Sequence, residues 1–248
     1  MIITVDIGNT QIKIAQFERE RIIKKTALNH LDEVWRLINE LEPSEVIWCS
    51  VKTFPEDFYS KIKAEKSTHQ HYLFNSSTPI PINNQYKTPK TLGLDRLAGA
   101  IGATSIFPSR PVLIIDAGTC ITYDFVNHQN EYIGGSISPG FMLRYKALHQ
   151  YTDKLPLLNI ISSTKIIGNN TLDAIQSGVV NGVVAEINGI CDIYNKQYSQ
   201  LKTIICGGDA EFIYHQIKEN KHVENFIIEK DLIHIGLKKI LQHLNSIN

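Results

Sequence analysis

Two stretches of this chain alternate apolar and polar positions and break at the same kind of turn. Ile2-Ile3-Thr4-Val5 runs into Asp6-Ile7-Gly8-Asn9-Thr10, and Ile12-Lys13-Ile14 follows. Val112-Leu113-Ile114-Ile115 runs into Asp116-Ala117-Gly118-Thr119, followed by Ile121-Thr122-Tyr123-Asp124-Phe125. Each reads as strand, tight glycine turn, strand, with an acid at the mouth of the turn. Elsewhere the period lengthens. Val34, Leu37, Ile38 and Leu41 fall at helical spacing, residues 45–51 form a short strand, and Phe54, Phe58 and Ile62 line another helix. A strand over residues 71–74 precedes a Pro-, Asn-, Ser- and Thr-rich segment at 75–92, too long for a plain connector. Residues 95–107 read as a helix whose small side chains allow close packing.

The second half repeats the mixture. Gly134-Gly135 and Pro139-Gly140 bracket a short strand; Leu143, Ala147, Leu148, Tyr151 and Leu155 mark a helix ended by Pro156. Residues 171–194 form a long helical pattern with Ala174, Gly178, Gly182, Ala185 and Gly189 on or near one side. Each interior glycine costs a helix about 1 kcal/mol against alanine, so this many imply close helix or backbone contact. A strand at 202–206 turns through Gly207-Gly208-Asp209 into a helix. A strand at 223–228 and a helix carrying Leu237, Ile240, Leu241 and Leu244 close the chain. Strands and helices mix in both halves, which predicts an α/β fold with mixed sheets.

The paired loops carry the candidate chemistry. Gly8 and Gly118 leave no side chain between backbone and ligand, so turn N–H groups can converge on phosphate oxygens, with Thr10 and Thr119 adding hydroxyls. Asp6 and Asp116 repel a phosphate unless a cation stands between, directly or through water. Gly-Asn and Ala-Gly are also ordinary turn dipeptides. Two copies in matching contexts, 110 residues apart, point instead to a duplicated domain holding a polyanion between facing loops.

Composition narrows the classes. Twenty-five basic residues balance 25 acidic ones, so no global field draws nucleic acid or an anionic membrane. The basic clusters are Arg19, Arg21, Lys24 and Lys25, expected in a solvated hairpin or loop, and Lys87 and Lys90 near Arg96. Cys49, Cys120, Cys191 and Cys206 are far apart and mostly within apolar runs; they read as buried thiols of a reducing compartment, not a disulfide frame or a zinc site. Asp6 interrupts the N-terminal apolar stretch too early for a signal peptide, and no apolar run reaches membrane-spanning length. The expectation is a soluble cytoplasmic protein. With 248 residues and a repeat, two domains are favoured, at 1–108 and 109–248, the last helix being free to pack back on the first.

No P-loop, Gly-x-Gly-x-x-Gly or protein-kinase motif occurs, and no histidine pair has metal spacing. Between Tyr86 and Arg96 the irregular segment ends at Gly93, and Asp95-Arg96 open a helix. Asp95 is open to two uses: a helix cap, or a base that takes a proton from a substrate hydroxyl while Arg96 pairs with a substrate anion. Gly207-Gly208-Asp209 is either an ordinary strand-to-helix turn or a flat backbone under a nucleotide. Thr171 is most simply the N-cap of the long helix, whose N-terminus also suits an anion.

Together these residues resemble type III pantothenate kinases, members of the sugar kinase, actin and heat-shock ATPase superfamily. The resemblance runs in order through Asp6-Ile7-Gly8-Asn9-Thr10 with Lys13, Tyr86, Gly93-Leu94-Asp95-Arg96 and Asp116-Ala117-Gly118-Thr119. It continues in the segment from Gly134 to Gly140, Leu155-Pro156, Asn170-Thr171 and Ser177-Gly178. It implies two duplicated ribonuclease-H-like domains, mixed sheets flanked by helices, and a nucleotide cleft between them. It further implies that Asp6, Ile7, Gly8, Asn9, Thr10, Gln11, Ile12 and Lys13 bind ATP, with Thr119. Tyr86, Gly93, Leu94, Asp95, Arg96 and Thr171 would bind pantothenate, Asp95 as catalytic base, and Asp116 would hold a monovalent cation, potassium or ammonium. Magnesium would arrive with ATP. The family's homodimers build the pantothenate pocket from both chains, which would account for the glycine-rich helix face. Cys120 and Cys206 depart modestly from the family pattern, next to the adenosine contacts. The implied function is ATP-dependent phosphorylation of pantothenate, the first step toward coenzyme A. The competing readings are a superfamily enzyme acting on another small substrate, and a non-catalytic nucleotide-binding regulator; retention of Asp95 speaks against the second.

Overall fold

The computed structural model describes residues 1–53, 55, 57–58, 60, 62, 69–161, 164–217 and 225–247. The chain divides into two compact units, Met1–Ile106 with Asp231–Asn248, and Phe107–Lys230.

In the first unit β1 (Ile2–Ile7), β2 (Ile12–Glu18) and β3 (Arg21–Leu28) form an antiparallel meander. β4 (Glu45–Ser50) then pairs parallel with β1, and β5 (Gln70–Leu73) parallel with β4, giving the order β3-β2-β1-β4-β5. The parallel pairings need crossovers. Helix α1 (Leu31–Leu41) supplies one, burying Val34, Trp35 and Ile38 against Ile3, Val5 and Trp48. Its start is fixed by the Glu33 carboxylate, which accepts from the His30 N–H at 3.2 Å, and its end by Glu42 at φ 45°. Phe58 and Ile62 join this core, while Phe54 of the expected second helix lies outside the described residues. The segment at 75–92 is organised locally: Asn75 caps a turn through the Ser77 N–H, β6 is the two-residue strand Asn83–Asn84, and a single 3₁₀ turn spans Pro89–Thr91.

Helix α2 (Leu94–Ile106) follows, and the last helix of the chain, α6 (Leu232–Ile247), packs on it within the same unit. Small residues make that crossing close: a Cβ on Gly236 would sit 2.7 Å from the Ala98 carbonyl carbon. Thr4 of β1 meets His234 of α6, Oγ1 to Nδ1, at 2.7 Å. Lys238, only 3% exposed, reaches the Arg19 carbonyl oxygen and Glu20, its ammonium 5.1 Å from the Phe17 ring centre.

The second unit repeats the topology. Strands β7 (Val112–Ala117), β8 (Cys120–Val126) and β9 (Glu131–Pro139) form the antiparallel meander. β10 (Lys202–Cys206) pairs parallel with β7, and β11 (Phe226–Ile228) parallel with β10. The order β9-β8-β7-β10-β11 matches that of the first sheet strand for strand. Residues 223–224 of the expected last strand lie outside the described residues. Helices α3 (Phe141–Gln150), α4 (Thr171–Gln197) and α5 (Ala210–Ile217) complete the unit, around a core of Leu113, Ile115, Tyr123, Phe141, Val180 and Ile187. This is the α/β architecture of two mixed sheets flanked by helices.

Four local expectations need correction. β9 runs through Gly134-Gly135 instead of starting after them: a Cβ on Gly135 would lie 2.8 Å from the Tyr123 carbonyl carbon, and the pairing register shifts at Phe125/Val126. These glycines mark a bulge within a strand. Helix α3 ends at Gln150, not at Pro156, and Leu155 packs on the core from a non-helical segment. The N-cap of α4 is Asn170, whose side chain accepts from the Asp173 N–H at 3.0 Å; Thr171 is the first helical residue. Within this chain the α4 glycines make no close contact: a Cβ at Gly178 or Gly189 would meet nothing within 4 Å, and one at Gly182 only Arg144 at 3.9 Å.

Candidate active site

The β1–β2 hairpin turns at residues 8–11, closed by Gly8 N–H donating to the Gln11 carbonyl at 3.1 Å. Asn9, Thr10 and Gln11 are exposed, so the turn presents backbone to solvent, whereas Asp6 at its root is 5% exposed. Asp6 faces Lys13 across β2 and Cys49 across β4. Directly opposed residues share a sheet face, so carboxylate and ammonium flank one side of the turn. Neighbouring Ile7, Ile12 and Ile14 are buried on the core side, which is what fixes the register.

Helix α2 packs against β4, the parallel neighbour of β1. The Gly93 carbonyl accepts the first helical hydrogen bond, from Leu97 N–H at 3.2 Å, and Asp95 lies in the first turn. Its Oδ1 accepts from the Arg96 N–H at 2.8 Å. Asp95 is therefore a first-turn acid favoured by the helix dipole, not the N-cap. Gly93 is small for a direct reason: a Cβ there would stand 2.6 Å from Asp95 Oδ1. The Cys49 thiol is pushed well up by burial and then by the charges of Asp6 and Asp95. Cys49 of β4, the strand against which α2 packs, stands in register with Asp6. Tyr86 is half-buried in the preceding segment, its N–H held by the Asn84 side chain at 3.0 Å. A cavity of about 310 Å³ lies against the hairpin, lined by Gly8, Thr10, Gln11, His30 and Lys52 among others.

In the second unit the matching turn is two residues, Gly118 and Thr119, closed by Gly118 N–H to the Cys120 carbonyl at 2.9 Å. Asp116 stands half-buried at the end of β7. The Thr119 carbonyl accepts from Gly140 N–H at 3.1 Å, tying the Pro139-Gly140 corner to the turn. Across β10, Cys206 is in register with Asp116, and the chain then turns at Gly207 with φ 88°. A side chain at Gly207 would collide with the Ala117 carbonyl and with Asp116 Oδ1. Asp209 donates its N–H to the Ala117 carbonyl at 3.0 Å, and burial raises its carboxyl pKa. Gly207 and Asp209 are thus neighbours of Asp116, a relation the sequence signalled only as a strand-to-helix glycine pair.

Behind Ser138 of β9, Arg144 of α3 donates to Ser138 Oγ at 2.9 Å and to Glu186 of α4, and Tyr123 OH donates to Glu186 at 2.8 Å. Burial pushes the Glu186 carboxyl up, but the bonds from Arg144, Tyr123 and Ser138 outweigh it and hold the pKa below its usual value. This network locks the residue 134–140 segment to α4, at whose first position Thr171 stands exposed. Among the described residues no group of three or more His, Cys, Asp or Glu could hold a metal ion. None of the helices is long and apolar enough to cross a membrane, again among the described residues.

The profile of the type III pantothenate kinases matches residues 2–193. A type III pantothenate kinase of Flavobacterium johnsoniae is 43% identical over 234 residues, covering 92% of this chain and 95% of that one. One of Cytophaga hutchinsonii is 37% identical over 243 residues, covering 98% and 99%. Among solved structures, a Campylobacter jejuni protein described as a Baf family transcriptional activator gives a TM-score of 0.64 at 22% identity, covering 98% of this chain and 99% of that chain. An activator of 2-hydroxyisocaproyl-CoA dehydratase from Clostridium difficile, with ADPNP bound, gives 0.53 at 12% identity, covering 99% and 96%. At such identities these two likenesses concern the fold alone.

Proposed function

The chain belongs to the type III pantothenate kinase family, and we propose how its residues divide the work of the reaction. The activity is transfer of the ATP γ-phosphoryl group to pantothenate, a phosphotransferase reaction on an alcohol at the first step toward coenzyme A. The non-catalytic regulatory alternative is not favoured by this membership.

Asp6, Ile7, Gly8, Asn9, Thr10, Gln11, Ile12 and Lys13 take the ATP phosphates, by backbone N–H groups, the Thr10 hydroxyl and the Lys13 ammonium; Thr119 adds a hydroxyl from the second unit. Tyr86, Gly93, Leu94, Arg96 and Thr171 hold pantothenate, with Arg96 paired to its carboxylate. Asp95 accepts the hydroxyl proton as the hydroxyl oxygen bonds to the γ-phosphorus and the bond to the ADP oxygen breaks. Phosphoryl transfer asks mainly for in-line positioning and for cancellation of charge on the moving group. The observation that supports this reading is Asp6 in register with Lys13 and Cys49 at the root of the exposed turn, with Asp95 in the first turn of the helix that packs on β4.

The Asp116 carboxylate, with the Ala117 carbonyl beside it and facing a residue without a side chain, suits a monovalent cation such as potassium or ammonium. Magnesium enters with ATP and supplies charge cancellation on the phosphates. The exposed face of α4, with Ile193 at 61% exposure one turn from Gly189 and on the side of Gly178, supports a homodimer in which Thr171 serves the site. A cytoplasmic setting is consistent with four free cysteines.

The test is coupled ADP release with ATP and pantothenate, with and without potassium, on wild type and Asp95→Asn. Turnover should require pantothenate and rise with potassium. The variant should lose about 10²-fold or more in kcat with a much smaller change in pantothenate KM. ADP release at equal rates without pantothenate would refute the assignment.

A further inference from the structure

β4 does more than flank β1. Its ladder continues past Ser50, with Val51 N–H donating to the Ile7 carbonyl at 3.1 Å, so the chain leaving β4 stays beside the end of β1. There Ser50 Oγ fastens the next turn twice, donating to the Lys52 carbonyl at 2.7 Å and accepting from the Lys52 N–H at 3.0 Å. The root of Lys52 is thereby fixed next to the hairpin, and its ammonium donates to the Asn9 carbonyl at the apex of the turn, at 2.9 Å. Lys52 also lines the 310 Å³ cavity against the same turn.

The geometry points to Lys52 as a positioning residue for nucleotide: by holding the Asn9 carbonyl it sets the direction of the Thr10 N–H that meets phosphate. The inference rests on the reading of the hairpin as the ATP-phosphate loop. Its physics lies in the peptide plane. The Asn9–Thr10 bond is trans, so its C=O and N–H point in opposite directions and fixing one fixes the other. Both flanking residues are exposed, so no packing holds that plane. Rotated by half a turn, the plane would present a carbonyl oxygen where a phosphate needs a donor, turning attraction into repulsion. A lysine ammonium is suited to prevent this, being a cation with three donors and no acceptor. Lys52 touches neither reacting atom nor proton, so its effect belongs in ATP affinity and not in the chemical step.

The experiment is steady-state kinetics of the full chain as wild type, Lys52→Met and Lys52→Arg, varying ATP and pantothenate separately, with urea unfolding of each. For a charge-assisted bond at an exposed site, the ATP KM of Lys52→Met should rise about five- to tenfold. Its kcat should fall less, while pantothenate KM and the urea midpoint hold. Lys52→Arg, which keeps a cationic donor, should recover most of the ATP KM. An ATP KM unchanged in Lys52→Met overturns the inference alone, because wild-type turnover still supports the loop. Both KM values rising together with a lowered urea midpoint, or no recovery in Lys52→Arg, also overturn it. A wild-type enzyme with no pantothenate-dependent ADP release would sink the reading of the hairpin, and this inference with it.

Discussion

Replacing Gly207 by alanine should damage the second unit far more than the same change one residue later. Gly207 has φ 88°, a region that costs an L-residue about 1–2 kcal/mol. Its new Cβ would also stand 2.7 Å from the Ala117 carbonyl carbon and closer still to that carbonyl oxygen and to Asp116 Oδ1. The first two are backbone atoms of a central strand, so β7 must move, and such overpacking adds about 1–3 kcal/mol. Against this, alanine restricts the unfolded chain and returns about 0.4–1 kcal/mol. The net expectation is a loss of about 2–4 kcal/mol. At Gly208 a Cβ meets nothing within 4 Å, so Gly208→Ala should stay within about 0.5 kcal/mol of wild type. Urea unfolding followed by circular dichroism is the assay, because Trp35 and Trp48 both lie in the first unit and would miss the change. With a slope of about 2–3 kcal/mol/M, Gly207→Ala should lower the midpoint by about 1 M. On the proposal that Asp116 holds a monovalent cation, it should also blunt the response of turnover to potassium, since that carboxylate is displaced. Equal midpoints for the two variants would show that the close approach has no energetic weight.

Two further outcomes concern the C-terminal helix. His234 is held down to about 4 from 6.5, by burial first and by Lys13 and Lys25 against the opposing pull of Asp231. Between those values the unfolded chain binds the extra proton, so stability is full above pH 6.5 and is lost as pH falls toward 4. The loss from this one group is about 2 kcal/mol by pH 5, and His234→Gln should flatten the urea midpoint against pH across that window. Glu20 is held down to about 2, first by its hydrogen bond from Lys238 and then by that from Gln242. Its carboxylate is largely exposed, so solvent screening should keep the cost of Glu20→Gln under about 1 kcal/mol. That contribution is present above pH 4.5 and fades as pH falls through 2, and differential urea melts at pH 7 and pH 3 measure it.

What the sequence disclosed was local. Both hairpins were legible because alternation and turn glycines act within a dozen residues, and the acids at their mouths came with them. Asp95 was found as a helix-opening acid beside Gly93, though only the structure separated the first turn from the cap. The overrun of α3 came from Leu155, whose burial is tertiary and needs no helix. Gly134-Gly135 was read as punctuation because a bulge depends on the partner strand, which the chain reaches only by folding back. The α4 glycines signalled a face but not what covers it. Gly207, Asp209 and Lys52 share one reason for being missed or left open. Each touches its hairpin through a parallel neighbour, β10 beside β7 or β4 beside β1, and parallel pairing joins residues far apart in sequence.

The placement of α6 has a consequence for how this protein is born. The first unit begins with Met1 yet is finished by Asp231–Asn248, with the whole of Phe107–Lys230 strung between. On a ribosome adding about 5–20 residues per second, the later unit has all its strands before the earlier one has its last helix. Until then the groove that will receive Leu232, Leu237, Ile240 and Leu241, all without exposure in the finished fold, faces water. The order of synthesis and the order of completion run opposite ways. The nascent N-terminal half therefore carries an open apolar groove, the kind of surface that invites aggregation, until residues 232–241 reach it.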